Sequence, residues 1–595
     1  MQSAETVLGV LRERGRRGLP LKRLYRQLFN PQLYLMAYGK LYSNAGAMTP
    51  GASRETVDGM SLTKIERIID AVRVERWRWR PVKRIYIPKR NGKRRSLGLP
   101  TWSDKLLAEV VRMLLSAYYD VQFSDHSHGF RPARGCHTAL RKVADTWTGT
   151  HWFIEGDIAQ CFDSLDQQVM RDALAEKIHD GRFLRLVTAM LSAGYLEDWR
   201  WGATLSGVPQ GGVASPILSN IYLDRLDSFV ETQLLPLFNR GERRAPNPAY
   251  HRIKRAQRRA RRMGDHAAMR ALRRQSRALP SGDPQDPGYR RLRYVRYCDD
   301  ILLGFIGPKT DAVEIKHRLG RFLREDLKLE LSEEKTLITH AQTGKAHFLG
   351  YDIMAQHANN KITRGQRAVN GSIGLLVPKE AITRRCARYT RNGKPEGRPQ
   401  MLNDDDYTII SQYQAEYRGV VQYYLLANDV HRLRKLHWVM ETSLLKTLAA
   451  KHRSTVTKMA RNHKAIVDTA EGPRVCLRTI VKRGEGRKPL VAWFGGIPLT
   501  RQKKATLIDR TPALATTHGN ELIHRLLAER CELCGATTRL EVHHIRKLAD
   551  LNKPGRNEKP AWVQTMVKRR RKTLVLCRAC HETTHAGRPI TASPR

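Results

Sequence analysis

The chain has 595 residues, 41% of them hydrophobic, which suits about three to five folded domains and excludes a disordered protein. Lys and Arg number 106 against 57 Asp and Glu, and the formal net charge of +49 indicates a polyanionic partner, most simply nucleic acid. A solvated basic surface with weak nonspecific binding is the alternative. No apolar run is long enough to span a membrane, the N-terminus has no signal-peptide core, and nine cysteines are few for a disulfide framework. We therefore expect a soluble cytoplasmic protein that does not enter a membrane.

The first predicted elements are basic helices followed by a hairpin. Residues 1–65 have a helical pattern with a turn at Asp58-Gly59. Two strand-like runs, 84–90 and 94–100, meet across Asn91-Gly92. Because Asn-Gly between two strands is the strongest short hairpin signal, the sequence predicts an antiparallel pair here.

The next segments predict a long helix and then a strand with a short helix behind it. Helical periodicity begins at Trp102, and Ser103 is the expected N-cap. Residues 151–165, HWFIEGDIAQCFDSL, have the pattern of a strand that runs into a helix. Residues 206–212, SGVPQGG, form a predicted turn-rich loop before another helix.

Residues 294–304, YVRYCDDILLG, have the pattern of a buried hairpin but carry two adjacent carboxylates, Asp299 and Asp300. Asp is depleted from strands, and the burial of two like charges needs compensation. One interpretation is a hairpin turn that faces water. The other is a site for Mg²⁺, which in phosphoryl transfer requires a further carboxylate from a second strand. Asp157, at the end of the apolar strand FIEGDI, is the candidate for that carboxylate.

Three further segments are distinguished by charge or helical pattern. Residues 251–277 hold eleven Lys or Arg and a single Asp, so we expect a solvated basic helix or a mobile arm that contacts phosphates. From about 365 to 475 the pattern predicts a basic helical domain. Residues 484–490, GEGRKPL, are expected to be a linker.

The C-terminal segment carries clustered cysteines and histidines. Two CxxC pairs offer four thiolates for a tetrahedral structural Zn²⁺, although their separation is longer than in common zinc fingers; these are Cys531, Cys534, Cys577 and Cys580. His543 and His544 lie at a predicted strand end, and His581 and His585, four residues apart, share one face of a helix. A lone histidine is more often structural, but four beside zinc knuckles favour a metal site.

Seven blocks in fixed order give the sequence a family resemblance. RIYIPKRNGKRRSLGLP, SHGFRPARGCHTAL, FIEGDIAQCFD, SGVPQGGVASPILSNIYLDRLD, YCDD, LSEEKT and FLGY resemble the reverse-transcriptase series of group II intron-encoded proteins, over about residues 35 to 355. YRGVVQYYLLA and SLLKTLAAKH resemble the thumb, or maturase, region of the same family. The resemblance implies that Asp157, Asp299 and Asp300 are a catalytic triad that binds Mg²⁺, with the backbone carbonyl of Ile158 as a further ligand. Relatives carry Ala where this chain has Cys298, a small change that leaves both carboxylates intact.

The resemblance also implies residues that contact the dNTP. Phe162 is the bulky side chain that excludes a ribose 2′-OH, and Gln210 lies against the incoming nucleotide. Lys89 and Arg95 meet the triphosphate, and Lys335 lies near the leaving pyrophosphate. These three basic residues could equally be surface charge.

The histidines resemble those of the HNH endonuclease ββα-metal module. The resemblance implies that His544 is the general base that activates water, and that His543, His581 and His585 line a divalent ion. Mg²⁺ is the expected ion and a transition metal the alternative. The Asn that names the motif is missing, and Thr573 stands near its place.

The predicted architecture is a multidomain α+β protein: a right-hand polymerase with fingers and an antiparallel palm sheet, a helical thumb, and a small zinc-stapled ββα-metal HNH module. The expected domains are an N-terminal basic extension (1–65), reverse-transcriptase fingers and palm (66–360, with a basic insertion at about 240–290), a thumb or maturase domain (361–480), a DNA-binding segment (481–525) and the HNH endonuclease (526–595).

The predicted function combines three activities: RNA-directed DNA polymerase, RNA-binding maturase that assists splicing, and DNA endonuclease. The expected partners are group II intron RNA in a ribonucleoprotein, target DNA and dNTPs, and the expected location is the bacterial cytoplasm. The nick in target DNA would prime reverse transcription during retrohoming. The alternatives are a splicing-only maturase without DNA synthesis, and a reverse transcriptase of another lineage, such as a retron or a diversity-generating element.

Overall fold

The computed structural model describes the chain except residues 1, 45, 89–91, 93, 198–199, 203–211, 285, 364–365, 484–487, 508–519, 549–550, 552–559 and 588–595. The described helices are α1 (Ala4–Arg16), α2 (Pro31–Leu41), α3 (Leu62–Arg73), α4 (Trp102–Tyr119), α5 (Cys136–Thr146), α6 (Cys161–Ser164), α7 (Gln167–Ala175), α8 (Gly181–Leu191), α9 (Ser215–Phe229), α10 (Leu235–Phe238), α11 (Pro248–Arg262), α12 (His266–Ala278), α13 (Lys309–Glu325), α14 (Lys379–Cys386), α15 (Asp406–Tyr424), α16 (Arg434–Lys451), α17 (Val456–His463), α18 (Glu521–Leu527), α19 (Ala561–Arg569) and α20 (Arg578–His585).

The described strands are β1 (Val82–Pro88), β2 (Arg94–Leu99), β3 (Trp152–Asp157), β4 (Tyr195–Glu197), β5 (Arg200–Gly202), β6 (Arg291–Tyr297), β7 (Asp300–Ile306), β8 (Ile338–His340), β9 (Ala346–Phe348), β10 (Tyr351–Thr363), β11 (Gln366–Leu376), β12 (Thr390–Arg391), β13 (Lys394–Pro395), β14 (Lys464–Thr469), β15 (Gly472–Val481), β16 (Leu490–Gly495), β17 (Leu540–His544) and β18 (Thr573–Cys577). They form six sheets, ordered β2-β1-β4-β5, β6-β7-β3-β8, β11-β10-β9, β12-β13, β14-β15-β16 and β17-β18. Helix and strand alternate along the chain, so the protein is a mixed α and β structure.

The N-terminal helices are capped by short polar side chains. Thr101, not the predicted Ser103, is the N-cap of α4, because its Oγ1 accepts a hydrogen bond from the amide of Asp104. The hydroxyl of Ser103 instead donates to Glu55, 2.7 Å away. The predicted hairpin is confirmed, since β1 and β2 pair antiparallel and Pro88 lies opposite Arg94.

The central four-stranded sheet lies between two hydrophobic cores. Ile154 of β3 and Leu303 of β7 face a core built with helices of the N-terminal half, whereas the adjacent Phe153 and Leu302 face a core shared with α15 and α16. This follows from the two-residue period of a strand, which sends neighbouring side chains to opposite faces. A sheet covered on both faces holds its strand register firmly, because a one-residue slip would exchange the two cores.

The segment from 365 to 475 is not wholly helical, and the linker prediction is wrong. Strand β11 begins this region and β14 ends it, on either side of α14 to α17. β15 and β16 are antiparallel partners in one sheet, so the chain between them, of which residues 484–487 lie outside the described residues, connects two strands of a hairpin. The aromatic side chains that suggested helix also suit a sheet packed on α15, where Tyr417 and Phe494 lie 5.4 Å apart between ring centroids.

The C-terminal module consists of the β17-β18 hairpin with α18, α19 and α20. Leu522, Ile523 and Leu526 of α18 belong to the same hydrophobic core as the N-terminal helices. Gly39 of α2 accepts a hydrogen bond from the Asn520 side chain, the N-cap of α18. The last part of the chain therefore packs on its beginning.

The basic segment forms two helices, α11 and α12, joined at Gly264 in the left-handed region (φ +68°). Their arginines make no ion pair with any residue of the described chain. None of the described helices combines the length and apolar composition needed to cross a membrane.

Candidate functional site

The first candidate site is built where β3 ends and β7 begins. The two strands are antiparallel, and their register sets Asp157 directly opposite Asp300. Directly opposed residues of an antiparallel pair have Cα atoms roughly 4.5–5.5 Å apart. Asp299 lies in the two-residue loop between β6 and β7, next to Asp300. The structure therefore brings the three predicted carboxylates together at one end of the central sheet.

Buried groups contact the loop that carries Asp299 on the side that faces the protein interior. Cys298 has φ +58°, an uncommon conformation for a residue with a side chain. Its carbonyl accepts a hydrogen bond from Nη1 of Arg296, 2.9 Å away, and the Arg296 side chain forms a fully buried ion pair with Asp227, 2.6 Å away. Gly129 packs so closely that a Cβ there would lie 2.3 Å from the Cys298 sulfur. These contacts hold the loop in its strained form.

Electrostatics at this site favour a bound cation. Burial, then the charges of Asp299 and Asp157, raise the pKa of Asp300 to about 7. Burial also raises the pKa of Asp299, and Asp157 adds to it, while Arg95 and Lys335 act in the opposite direction. Carboxylates that repel one another in a partly desolvated position gain from a divalent ion.

Lys335 supplies part of the positive charge that the carboxylates need. Its Nζ lies 2.7 Å from Oδ2 of Asp157, and this hydrogen bond raises the pKa of Lys335 although its side chain is 65% exposed. Among the described residues, the three carboxylates are not one of the sets whose ligand atoms all lie within 4.8 Å of one another. The donor chemistry fits Mg²⁺, but the side chains are not drawn together as tightly as at the two C-terminal sites.

The backbone on either side of Ile158 is hydrogen-bonded to residues 330–332. The amide of Ser332 donates to the carbonyl of Asp157, and the amide of Ala159 donates to Glu330. Because successive carbonyls of an extended chain point to opposite edges, the Ile158 carbonyl faces the side of β7 and Asp300. The Ile158 side chain itself is buried.

The predicted nucleotide contacts are only partly described. The Phe162 ring is half-buried and meets Phe130 edge to face, 6.5 Å between centroids. Arg95 lies on β2 and has an electrostatic interaction with Asp299. Lys89 and Gln210 lie outside the described residues.

The second candidate site is the cysteine cluster of the C-terminal module. The four sulfur atoms all lie within 4.8 Å of one another; they belong to Cys531, Cys534, Cys577 and Cys580. The Cys534 and Cys577 sulfurs are 3.6 Å apart, close to the roughly 3.8 Å separation of two thiolates on one tetrahedral zinc with 2.3 Å bonds. All nine cysteines of the chain are free thiols, so no disulfide competes for these four.

The third candidate site joins three predicted histidines to an unpredicted aspartate. Ligand atoms of His543, His581, His585 and Asp58 all lie within 4.8 Å of one another. His543 is buried, and neither of its ring nitrogens has a hydrogen-bond partner in the described chain. A buried imidazole without a partner, aimed at two more histidines, fits a metal ligand because an unpaired buried polar group is otherwise costly.

The histidines of this site have sharply different environments. Burial lowers the pKa of His543 to about 4, which keeps the ring neutral and able to ligate. Burial opposes protonation of His581 too, but the hydrogen bonds that its ring donates to Asp58 and Glu541 raise its pKa. Glu541 Oε2 lies 2.8 Å from Nδ1 of His581 and fixes that ring from behind.

His544 points away from the other three histidines. Its Nε2 lies 3.3 Å from the hydroxyl of Tyr38 on α2, and its ring also contacts Tyr42. The side chain is buried, which lowers the pKa of His544 to about 4. On the opposite strand its register partner is Thr573, whose hydroxyl accepts from Arg525.

Sequence reasoning missed four residues that shape these sites. Asp58 was part of a predicted turn, and nothing in its neighbourhood signals a metal ligand. Arg296 lies two positions before Cys298 inside the hairpin motif, and a charged residue in a strand that is otherwise buried could have marked it. Its partner Asp227 and the His581 partner Glu541 give no such signal alone.

Three family models match successive parts of the chain. Residues 87–353 match the family model "Reverse transcriptase (RNA-dependent DNA polymerase)", residues 368–468 match "Type II intron maturase", and residues 531–581 match "AI2M/AI1M-like, HNH endonuclease".

Several curated proteins are similar to this chain over much of its length. The "Group II intron-encoded protein LtrA" of Lactococcus lactis subsp. cremoris is 38% identical over 583 residues, which cover 94% of this chain and 95% of the relative. An "Uncharacterized 91 kDa protein in cob intron" of Schizosaccharomyces pombe is 32% identical over 584 residues, covering 95% of this chain and 70% of that protein. "Protein YkfC" of Escherichia coli is 30% identical over 353 residues, covering 57% and 85%. The family and the combined function predicted from the motifs are confirmed: the chain belongs to the group II intron-encoded proteins, and it is a multifunctional reverse transcriptase, intron maturase and HNH endonuclease.

Proposed function

We propose that Asp157, Asp299 and Asp300 hold Mg²⁺ in the palm of a right-hand polymerase, with the Ile158 carbonyl as a further ligand. The observation that carries this is the register of β3 and β7, which sets Asp157 opposite Asp300. When bound, paired Mg²⁺ ions would activate the primer 3′-OH and stabilise the leaving pyrophosphate. The chain itself supplies preorganisation, because the buried Arg296 fixes the loop on which Asp299 stands.

The nucleotide contacts follow from the same geometry. Lys335 neutralises Asp157 in this structure, and we infer that it turns to the pyrophosphate when a dNTP enters. Phe162 is held against Phe130, which would place its ring edge against the sugar and exclude a 2′-OH. Arg95 is in electrostatic reach of Asp299 and would meet the triphosphate together with Lys89. Gln210 would lie against the incoming nucleotide.

The proposed domain boundaries are those expected from the motifs. The N-terminal extension is 1–65, the fingers and palm are 66–360, the thumb is 361–480, the DNA-binding segment is 481–525, and the HNH ββα-metal module is 526–595. The family matches at 87–353, 368–468 and 531–581 support the three larger parts.

For the C-terminal module we propose two metal sites. The four cysteines would hold a structural Zn²⁺ that joins α20 to the start of the module. His543, His581 and His585 would hold a divalent ion, with Mg²⁺ as the proposed metal, which would polarise the scissile phosphate. His544 would act as general base, once its ring is released from Tyr38.

We propose group II intron RNA, target DNA and dNTPs as the partners, and the bacterial cytoplasm as the location. The formal charge of +49 and the unpaired arginines of α11 and α12 suit a phosphate backbone. Nine free thiols suit a reducing compartment. In this scheme the particle inserts RNA into one DNA strand, the HNH module nicks the other, and the new 3′-OH primes reverse transcription.

Both alternatives are less well supported. A splicing-only maturase would tolerate loss of the carboxylates and histidines, yet all are present and clustered. A reverse transcriptase of another lineage would not explain the maturase and HNH matches.

Primer extension on an RNA template with Mg²⁺ tests the polymerase site. Asp299→Asn should lower kcat/KM roughly 10²- to 10³-fold, because a metal carboxylate supplies about 3–4 kcal/mol of transition-state stabilisation. Asp326→Asn, at an exposed position after α13, is the matched control and should extend at the parental rate. Equal rates for both variants would contradict the assignment.

A further inference from the structure

Asp58 comes from the opposite end of the chain, yet it sits inside the histidine cluster of the C-terminal module. Its Oδ2 is 2.7 Å from Nε2 of His585, and its Oδ1 is 3.3 Å from Nε2 of His581 and 3.6 Å from Nδ1 of His543. The Asp58 side chain is 14% exposed, so it is enclosed by these rings rather than resting on the surface. One carboxylate thus reaches all three proposed ligands.

Backbone hydrogen bonds hold Asp58 in that position. The amide of Val542 donates to the carbonyl of Met60 (2.8 Å), and the amide of Gly59 donates to the carbonyl of Val542 (3.0 Å). The amide of His544 donates to Oδ1 of Asp58 (2.7 Å). Residues 58–60 therefore pair with the edge of β17 that β18 leaves free. Gly59 has φ +73°, which favours glycine and turns the chain so that the carboxylate faces inward.

The neighbouring contacts make this a packed interface. Val57 and Met60 are fully buried on either side of Asp58, and Val542 belongs to the same hydrophobic core as the N-terminal helices. On the opposite face of β17, His544 is enclosed by Tyr38 and Tyr42 of the N-terminal region. The segment that supplies Asp58 and the surface that covers His544 are continuous.

In this arrangement Asp58 fills the coordination position that a nuclease must leave free for water or substrate. For a tetrahedral ion such as Zn²⁺ or the Co²⁺ probe, three histidines and one carboxylate provide all four ligands, whereas catalytic sites keep a position for water or substrate. The position that Asp58 occupies is where the oxygen of a scissile phosphate would bind beside three histidines. The base assigned to water activation, His544, is covered by Tyr38 and Tyr42 of the same N-terminal region.

We propose that Asp58 is the fourth ligand of the nuclease ion, and that the paired segment 58–60 holds the endonuclease closed until nucleic acid separates it from the C-terminal module. The proposal rests on the histidine assignments under the proposed function. It predicts that the free protein binds the metal ion more tightly, and nicks DNA more slowly, than the protein whose N-terminal segment has moved away. Nucleic acid has the required chemistry, because a DNA phosphate can replace the carboxylate as an anionic oxygen ligand.

Metal binding provides a readout that does not depend on activity. Full-length, zinc-loaded protein is titrated with Co²⁺, and the visible absorption of the cobalt–histidine complex is followed. Asp58→Ala should weaken Co²⁺ binding at least about tenfold. Asp70→Ala, an exposed acid on α3 with only a surface ion pair, should bind like the parent. Unchanged binding by Asp58→Ala overturns the ligand role.

Nicking by the free protein tests the closure. At saturating divalent ion and without RNA, Asp58→Ala should nick double-stranded DNA severalfold faster than the parent, because the phosphate position is free. Nicking that stays level or falls overturns the closed state. Asp58→Asn, which keeps an oxygen for the His544 amide but loses the charge, should lie between the two. Parental hydrogen-exchange protection of the β17 and β18 amides shows that the module is folded in both variants.

His585→Ala separates this proposal from the one on which it rests. If His585→Ala and Asp58→Ala both bind Co²⁺ like the parent, the histidine assignment itself is wrong. If His585→Ala weakens binding and Asp58→Ala does not, the histidine assignment stands and only the Asp58 proposal fails.

Discussion

The carboxylates of the central sheet and the histidines of the C-terminal module are assembled in opposite ways. Asp157 and Asp300 are opposed across two hydrogen-bonded strands of one sheet, and their third partner is the next residue along. The histidine cluster instead joins both ends of the chain, since Asp58 meets His543 and His585 across an interface between two parts of the protein. One site is fixed by local register and the other by docking.

The difference predicts different behaviour. Asp157 holds Lys335, an exposed cation that a substrate can displace, so this site is open to nucleotide. The histidines hold a carboxylate that is hydrogen-bonded and paired into a sheet, so that site is closed to DNA. A protein with both activities thus exposes its polymerase site while it covers its nuclease site. This is the order that protects DNA from cutting by the free protein.

Loss of the cysteine site should give the largest difference between the C-terminal module, which we expect to unfold, and the polymerase region, which we expect to stay active. Cys534→Ser removes one thiolate, and structural zinc in small modules supplies about 10–16 kcal/mol of apparent binding free energy that becomes folding energy. We expect zinc content to fall to near zero and the amides of β17 and β18 to lose hydrogen-exchange protection, while primer extension persists.

Cys386→Ser, at a buried thiol of α14 outside the cluster, is the control and should keep its zinc. A Cys534→Ser protein that retains stoichiometric zinc would show that the four sulfurs do not form the site. Loss of both zinc and polymerase activity would show that the two regions fold as one unit.

The next largest effect concerns the support beneath the Asp299 loop. Arg296 and Asp227 are both fully buried and form a pair, so Arg296→Met leaves an uncompensated charge and should destabilise the protein by about 3–5 kcal/mol. Urea unfolding followed at the central sheet measures this loss. Arg321→Met, at an exposed position on α13, should unfold like the parent.

A double variant separates stability from positioning. Arg296→Met with Asp227→Leu removes both charges and should regain much of the stability, because two well-packed apolar side chains replace a buried ion pair. It still lacks the donor to the Cys298 carbonyl, so kcat for primer extension should stay low while KM is little changed. Full recovery of kcat would show that the pair serves folding alone.

The carboxylate site could be predicted from sequence because each carboxylate lies in a short motif with a clear strand pattern. Strand β3 ends at Asp157 of FIEGDI, and β7 begins at Asp300, the last residue of YCDD. Strand patterns are sufficient to expect that both carboxylates reach one sheet edge. The cysteine site could be predicted equally well, since two CxxC pairs are typical of a structural zinc site. Asp58 could not be found in this way, because a turn residue becomes a ligand only through docking of segments nearly 500 positions apart. Tertiary packing also replaced the predicted cap of α4 by Thr101 and turned an expected linker into a hairpin connection.

The smallest effect concerns Asp224, which lies beside the buried pair of the polymerase site. Burial and the charge of Asp227 raise the pKa of Asp224 to about 7, although Arg296 and Arg131 oppose the shift. The folded protein therefore binds this proton more tightly than the unfolded chain, whose Asp titrates near its ordinary value of about 3.9. Asp224 costs nothing below that value, and its cost grows as the pH rises toward 7 and is complete above it.

Asp224→Asn should consequently stabilise the protein by about 1–3 kcal/mol at pH 8 and by almost nothing at pH 4. Urea unfolding at both pH values measures the difference, and Asp468→Asn, at an exposed position on β14, should show no such dependence. A gain for Asp224→Asn that is equal at both pH values would mean that the acid is ionised throughout. Arg296 would then serve two carboxylates instead of one, and the support of the Asp299 loop would be a shared network rather than a single buried pair.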